Sequence, residues 1–212
     1  MIRRINLGLL LPILTIVMIF APKSEVECSQ PVPFPEGVFL YKSASNVFGF
    51  ESAWVNPAGL GRFTGNGVML MADYFDGNIA KSWGALVNGE QSAMAYRRLD
   101  NPNGKDFQEW VFASGIGLGQ LKAGASYRYF KDGPAPYDNR HFWNIGLQLQ
   151  GEQKVSGAVV FSNLNRGRIG GERTEVEHRY SLSYRPLDID LTLSADMLRT
   201  SSIDLGDAHM IY

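Results

Sequence analysis

Hydrophobic and polar residues alternate with a period of two along most of the chain that follows Thr64. Successive side chains of a β-strand point to opposite faces, so this alternation predicts strands with one apolar and one polar face. Each run is about ten residues long, which is the length that a tilted strand needs to cross the hydrocarbon layer of a membrane. The predicted strands are Asn66–Phe75, Ile79–Val87, Ser92–Leu99, Phe107–Leu118, Leu121–Phe130, His141–Gln150, Gln153–Asn163, Glu175–Arg185 and Asp188–Arg199.

Short and long connections alternate between these runs. Bacterial outer-membrane barrels have short turns on the periplasmic side and longer loops outside. The sequence therefore predicts an all-β fold, an antiparallel transmembrane β-barrel in the bacterial outer membrane, to which residues 65–212 contribute about nine to ten strands. The short connections are Gly119-Gln120, Gly151-Glu152 and Pro186-Leu187, and the long ones are residues 100–106, 131–140 and 164–174.

The two faces of the runs differ in polarity and in side-chain size. Bulky apolar residues on one face predict contact with lipid, and small or polar residues on the other predict a lumen. A soluble β-sandwich is the alternative, but its outer faces would carry denser charge. The residues expected to face lipid are Leu121, Ala123, Ala125, Leu147, Leu149, Leu191 and Leu193. Those expected to face the lumen are Lys122, Ser126, Arg128, Asn144, Gln148, Thr192 and Asp196.

Two features mark the side of the predicted wall that carries the long loops. Aromatic residues gather there, and such rings form the girdle of an outer-membrane barrel at the boundary between lipid and water. The loop 166–173 is locally basic, which we interpret as a solvated loop, with contact to lipopolysaccharide phosphates as the alternative. The residues expected in the girdle are Tyr96, Trp110, Tyr127, Tyr129, Phe142, Trp143 and Phe161.

The first 28 residues have the pattern of a secretory signal peptide. Arg3 and Arg4 precede the apolar stretch Leu7–Ala21, and a polar segment follows it. A single membrane-anchoring helix is the alternative, but it would need about 20 apolar residues. We expect cleavage after Cys28 and no lipidation of this cysteine, because the acidic Glu27 stands where a lipobox needs a small residue.

Composition and spacing exclude several classes of function. The net charge of −1 offers no basic surface for nucleic acid. The single cysteine, Cys28, cannot form an intramolecular disulfide. Because His141, His178 and His209 lie on separate elements, no metal site is expected.

Catalysis and nucleotide binding are also not expected. The glycines at 115, 117 and 119 are not followed by a helix that would present phosphate-binding amides, so we expect them to relieve crowding on the lumen face. The chain contains no G-x-S-x-G elbow and no evident pairing of a nucleophile with a base. We therefore predict no catalytic residue, no enzyme activity and no cofactor.

A short motif precedes the first predicted strand. Pro57 fixes one backbone angle, while Gly59 and Gly61 permit tight reversals. The motif resembles the NPAGL signature near the start of outer-membrane proteins of the FadL/TodX and PorV-like families. The resemblance implies that residues 29–64 form a strap or plug at the periplasmic end of the barrel, and an ordinary surface turn is the alternative. Its residues are Asn56, Pro57, Ala58, Gly59, Leu60 and Gly61, of which we expect Asn56 to hydrogen-bond backbone groups.

The resemblance leaves three functions open. FadL-like proteins admit hydrophobic small molecules, which implies a channel or transporter. PorV-like proteins imply a non-catalytic scaffold whose partners are secreted proteins. In the third alternative, the barrel is the amino-terminal part of a signal-peptide-peptidase-like protease with its catalytic domain beyond Tyr212. A final run that starts near Ala208 and stops at Tyr212 makes the predicted wall a truncated one. In each case the expected surroundings are outer-membrane lipid and lipopolysaccharide.

Overall fold

One antiparallel sheet contains most of the strands of the chain. The structure is a computed structural model, which describes residues 43–75, 78–99, 106–132, 139–150, 154–169, 172–186, 191–200 and 209–211. The predicted signal peptide 1–28, the beginning of the predicted strap (29–42), the turn Gly151-Glu152 and residues 188–190 lie outside the described residues. No helix among the described residues is long and apolar enough to span a membrane.

Among the described residues, two short helices precede the sheet. Helix α1 is Ser52–Val55, and a 3₁₀ helix, Pro57–Arg62, follows it directly. The strands are β1 (Asn66–Phe75), β2 (Asn78–Gly89), β3 (Ser92–Leu99), β4 (Phe107–Leu118), β5 (Leu121–Lys131), β6 (Arg140–Gln150), β7 (Val155–Ser162), β8 (Arg168–Ile169), β9 (Glu172–Arg173), β10 (Glu177–Tyr184), β11 (Leu193–Thr200) and β12 (His209–Ile211).

Sheet neighbours follow chain order. The order in the main sheet is β1-β2-β3-β4-β5-β6-β7-β10-β11-β12, and β8 pairs only with β9 in a separate two-stranded sheet. All of these pairings are antiparallel, which confirms the predicted all-β class. Within the described residues β1 and β12 do not pair with each other, so the sheet is not closed.

The alternation of apolar and polar residues predicted the long strands of the sheet correctly, but some of the predicted strand ends differ from those in the structure. The bounds of β1, β3 and β4 are those predicted. In contrast, β11 begins at Leu193, so Leu191 and Thr192 lie before the strand. The two-residue strands β8 and β9 fall within a predicted loop, because so short a strand shows no alternation.

The segment 43–62 lies against one face of the sheet, and we call it the strap. At one end of the sheet the Phe50 ring lies beside Gly67 of β1. At the other end the Ser43 hydroxyl donates to a carboxylate oxygen of Asp196 in β11, at 2.9 Å. Ser43 and Phe50 are seven residues apart and so lie at most about 25 Å from each other. The nine strands from β1 to β11 would span about 38 Å in a flat sheet, so the sheet curves around the strap. We call the face toward the strap the inner face.

The opposite, outer face is strongly apolar and exposed. Leu70 is 78% exposed, Val68 66% and Leu118 65%. The register places these residues in rows that cross several strands, such as Val68, Val87, Met94 and Phe112. The apolar residues on the outer face that are exposed include Trp83, Ile116, Leu121, Trp143, Ile145, Leu147, Leu149, Val155, Leu182 and Leu193.

Aromatic side chains form short rows on the outer face. The Tyr96 ring centroid lies 5.2 Å from that of Trp83 and 4.6 Å from that of Trp110. The expectation that Phe142 belongs with such a row is wrong, because its side chain is fully buried on the inner face, 5.4 Å from the Phe130 ring. Since Trp143 follows it in the same strand, the two rings must point to opposite faces.

Candidate functional site

The local conformation of the strap depends on Asn56. This residue has extended backbone angles (φ −157°, ψ 104°) and so separates α1 from the 3₁₀ helix. Its side-chain oxygen accepts a hydrogen bond from the Ala58 amide at 3.1 Å, and its side-chain amide donates to the Ala44 carbonyl at 2.8 Å. Pro57 occupies the first helical position, where a missing N–H costs nothing. Asn56 thus makes the backbone hydrogen bonds expected from the sequence.

The motif lies on a row of glycines. Gly115, Gly124 and Gly146 are directly opposite one another on β4, β5 and β6. A Cβ atom at Gly115 would lie 2.7 Å from both the Pro57 carbonyl oxygen and the Gly61 nitrogen. At Gly124 it would overlap the Pro57 backbone. We call these three glycines the glycine row; it lets the strap backbone touch the sheet backbone.

The glycines of the motif meet the same requirement from the other side. A Cβ at Gly59 would lie 2.5 Å from the Val47 carbonyl oxygen, and one at Gly61 would lie 2.7 Å from the Ile116 carbonyl carbon. The remaining motif residues are buried, and Leu60 packs in a cluster with Trp54 and other apolar residues of the inner face. The motif therefore has glycine at the two positions, 59 and 61, where no side chain would fit.

A buried group of three charges lies beside this seat. Glu109 of β4 accepts from the Arg128 Nε atom at 2.6 Å and is also paired with the Arg97 Nε atom. The Trp54 indole N–H donates to the same carboxylate at 3.3 Å. All three charged side chains are nearly or fully buried, and buried charges are stable only when paired and hydrogen-bonded. Trp54 thus connects the strap to an ion-paired cluster of the wall, which we call the Glu109 cluster.

Serine hydroxyls tie the beginning of the strap to the last long strands. Ser43 shares a hydrogen bond of 2.5 Å with Ser181, and Ser45 shares one of 2.5 Å with Ser183. The Ser181 Oγ atom also contacts the Asp196 carboxylate. Asp196 is buried, and its Oδ2 atom has no hydrogen-bond partner among the described residues. These contacts fix the amino-terminal end of the strap to the inner face of β10 and β11.

The end of the strap carries one cation. The Arg62 guanidinium lies over the Phe48 ring, with its Cζ atom 5.2 Å from the ring centroid. Partial burial lowers the pKa of Arg62 from its ordinary value, and the group still remains protonated near neutral pH. Phe48 itself is 56% exposed.

Five of the seven residues predicted to face a lumen are buried on the inner face, while Thr192 lies before β11. Gln148 donates to the Ser45 carbonyl at 2.6 Å, and Asn144 donates to the Ser126 hydroxyl at 3.1 Å. Lys122 differs, because it lies near the tight turn and donates to the Gly119 carbonyl. The residues of this predicted set that are buried are Ser126, Arg128, Asn144, Gln148 and Asp196.

Sequence reasoning missed the partners of these residues. Glu109, Arg97 and Trp54 were not singled out, although the period of two places Glu109 on the same face as Val111. The serines at 43 and 45 gave no signal, because they contact strands that are more than a hundred residues further along the chain. No group of three or more His, Cys, Asp or Glu residues within the described ranges could hold a metal ion.

No family model, curated protein or solved structure matches the chain that carries this strap. The resemblance to the FadL/TodX and PorV-like families therefore rests on the motif at residues 56–61 and on the pattern of the strands.

Proposed function

We propose that this chain forms the wall of an outer-membrane β-barrel of FadL- or PorV-like type, which admits hydrophobic small molecules. One observation carries the proposal: polarity is inverted relative to a soluble protein. Glu109 and Gln148 are fully buried on the inner face, whereas Val68, Leu70, Val87 and Leu118 of the outer face are more than half exposed.

An aqueous environment would oppose this arrangement. Burying apolar surface stabilises a protein by about 25 cal/mol per Å², and soluble monomers rarely expose apolar patches of more than a few hundred Å². Here the exposed apolar side chains occur on strands from β1 to β11. Hydrocarbon around the outer face would remove this cost, while the backbone polar groups pair between strands.

An apolar groove on the outer face supports the choice of a hydrophobic ligand. It crosses β6, β7, β10 and β11 and has a volume of about 490 Å³, within the range of small-molecule sites. Gly157 lies at its floor, where a Cβ atom would meet only the Ser181 carbonyl, at 3.8 Å. Its walls are mainly Leu121, Leu147, Leu149, Val159, Tyr180, Leu182 and Met197.

A second candidate function is supported by how the strap fills the inner face. The cavity between Trp54 and Arg128 measures only about 20 Å³, which is room for about one water molecule. An inner face that the strap fills in this way between Trp54 and Arg128 suits a PorV-like scaffold for secreted proteins. For a small molecule to pass through the inside, the strap would have to move.

Tryptophan quenching tests the membrane proposal directly. Two variants would each keep one tryptophan: Trp143, which is 47% exposed on the outer face, or Trp54 of the strap, which is 4% exposed against the inner face. After refolding into phosphatidylcholine vesicles, brominated acyl chains should quench Trp143 strongly and leave Trp54 nearly unchanged. Equal quenching of both, or none of either, would contradict the proposed orientation.

Uptake measurements separate the two candidate functions. Vesicles that contain the protein should accumulate a fluorescent long-chain fatty acid faster than empty vesicles if the chain is a transporter. Gly157→Leu should slow this uptake by filling the groove, whereas Ala125→Leu, on the outer face but outside the groove, should not. No uptake, together with co-purification of secreted proteins, would favour the scaffold.

A further inference from the structure

A small hairpin on the loop side carries an unusual arrangement of charge. Strands β8 and β9 form it, and Arg168 lies directly opposite Arg173 in their register. Both side chains are exposed, and Arg166 precedes them in the same loop. The Thr174 amide donates to the Gly167 carbonyl at 2.7 Å and closes the base of the hairpin.

The base of the hairpin is fixed to the wall. Asn165 donates to the His141 carbonyl at 2.8 Å and accepts from the Trp143 amide at 3.1 Å. The Leu164 amide donates to the Trp143 carbonyl at 3.0 Å. The hairpin is therefore held next to Trp143, whose ring is on the exposed outer face.

Arg168 and Arg173, which face each other across the hairpin, carry the same charge. Like charges directly opposite in a sheet destabilise the pairing. Among the described residues, the side chains of Arg166, Arg168 and Arg173 form no salt bridge or hydrogen bond. An anion bound between the two opposed guanidinium groups would remove this repulsion.

We propose that the β8–β9 hairpin binds the phosphate of a lipid headgroup. Arginine is suited to this ligand, because its planar fork donates two parallel hydrogen bonds to phosphate oxygens. A lipid is favoured over a free phosphate because the hairpin is fixed beside an exposed tryptophan, a residue that occupies the lipid–water boundary in membrane proteins. The choice of a lipid as the ligand rests on the proposed membrane function. The opposed arginines of the hairpin are observed independently of that function.

The thermal unfolding midpoint of the full chain in detergent micelles provides the test. Diphosphoryl lipid A, its dephosphorylated form and inorganic phosphate would be added in separate titrations. The double variant Arg168→Gln/Arg173→Gln removes the opposed charges. Lys131→Gln/Arg185→Gln is the matched control, because it removes two exposed charges at other strand ends.

We expect phosphorylated lipid A to raise the midpoint of the parent chain and of the control, and to bind the Arg168→Gln/Arg173→Gln variant about tenfold more weakly. The dephosphorylated lipid and inorganic phosphate should have little effect. Equal binding by the double variant, or an equal effect of inorganic phosphate, would overturn the proposal.

A charge reversal gives an independent readout that needs no lipid. Arg168→Glu places opposite charges across the hairpin, so without lipid it should unfold at a higher temperature than the parent chain, and lipid A should no longer raise its midpoint. An unchanged or lower midpoint without lipid would contradict the repulsion on which the site depends. These measurements are made in micelles and test the phosphate site alone. The tryptophan quenching in vesicles tests the membrane proposal, so the two proposals can fail separately.

Discussion

The close contact between the motif and the glycine row predicts a large effect from a single methyl group. In Gly124→Ala, the new Cβ would overlap the Pro57 backbone, and neither backbone is free to move far. Overpacking of this kind costs typically 1–3 kcal/mol. We expect a value near the upper end, because the clash involves main-chain atoms on both sides.

Gly157→Ala is the matched control for this substitution. Gly157 also lies inside a long strand, but a Cβ there would have its nearest neighbour at 3.8 Å. Replacing a strand glycine by alanine without a clash is worth roughly 0.5–1 kcal/mol of added stability. Because this gain applies to both variants, they should differ by the cost of the clash, about 2–3 kcal/mol in the free energy of unfolding.

Chemical unfolding in detergent micelles measures this difference, and limited trypsin digestion at Arg62 reports release of the strap. Gly124→Ala should unfold at lower denaturant concentration and be cleaved faster, while Gly157→Ala should match or exceed the parent chain. If the two variants unfold at the same denaturant concentration and resist trypsin equally, the strap is not seated on the glycine row.

Three further predictions concern the wall, the Glu109 cluster and the side of the membrane that the strap faces. Leu193→Arg should lower folding stability in lipid by about 2–4 kcal/mol, whereas Leu164→Arg, in an exposed loop, should change it little; equal effects in a vesicle-folding titration would contradict the outer-face assignment. Glu109→Gln should cost about 3–5 kcal/mol in the same titration, because it leaves two buried arginines unbalanced, while Asp106→Asn breaks an exposed ion pair and should cost about 0–1 kcal/mol. In whole cells an impermeant maleimide should label Leu164→Cys and not Phe48→Cys, and rapid labelling of both would show that the strap is not periplasmic.

Local pattern determined how much of this structure could be predicted. Alternation identifies strands and their faces, because the period of two is a property of each strand by itself. It placed Gln148 and Asp196 on the face where both are buried, but it did not identify what buries them. Phe142 was placed in the girdle because it lies near a loop. Alternation along the strand puts it on the face opposite Trp143, where it is buried.

Contacts between distant parts of the chain were out of reach of the same reasoning. The glycines of β4 were expected to relieve crowding, yet their sequence does not reveal that the motif lies on them. The same holds for Trp54 and Glu109, which are 55 residues apart along the chain. A single sequence shows which side chains share a face, and it does not show which segment covers that face.

The hydrogen bond from Ser43 to Asp196 joins residues that are 153 positions apart, and this has a consequence for the order of folding. The strap is synthesised before every strand that it touches, yet its amino-terminal serines find their partners only after β11 has formed. Pairings over such long sequence separations are slow, because the chain must close a large loop before they form. We therefore expect early protection from hydrogen exchange at the tight hairpin of β4 and β5, and late protection at Ser43 and Ser45.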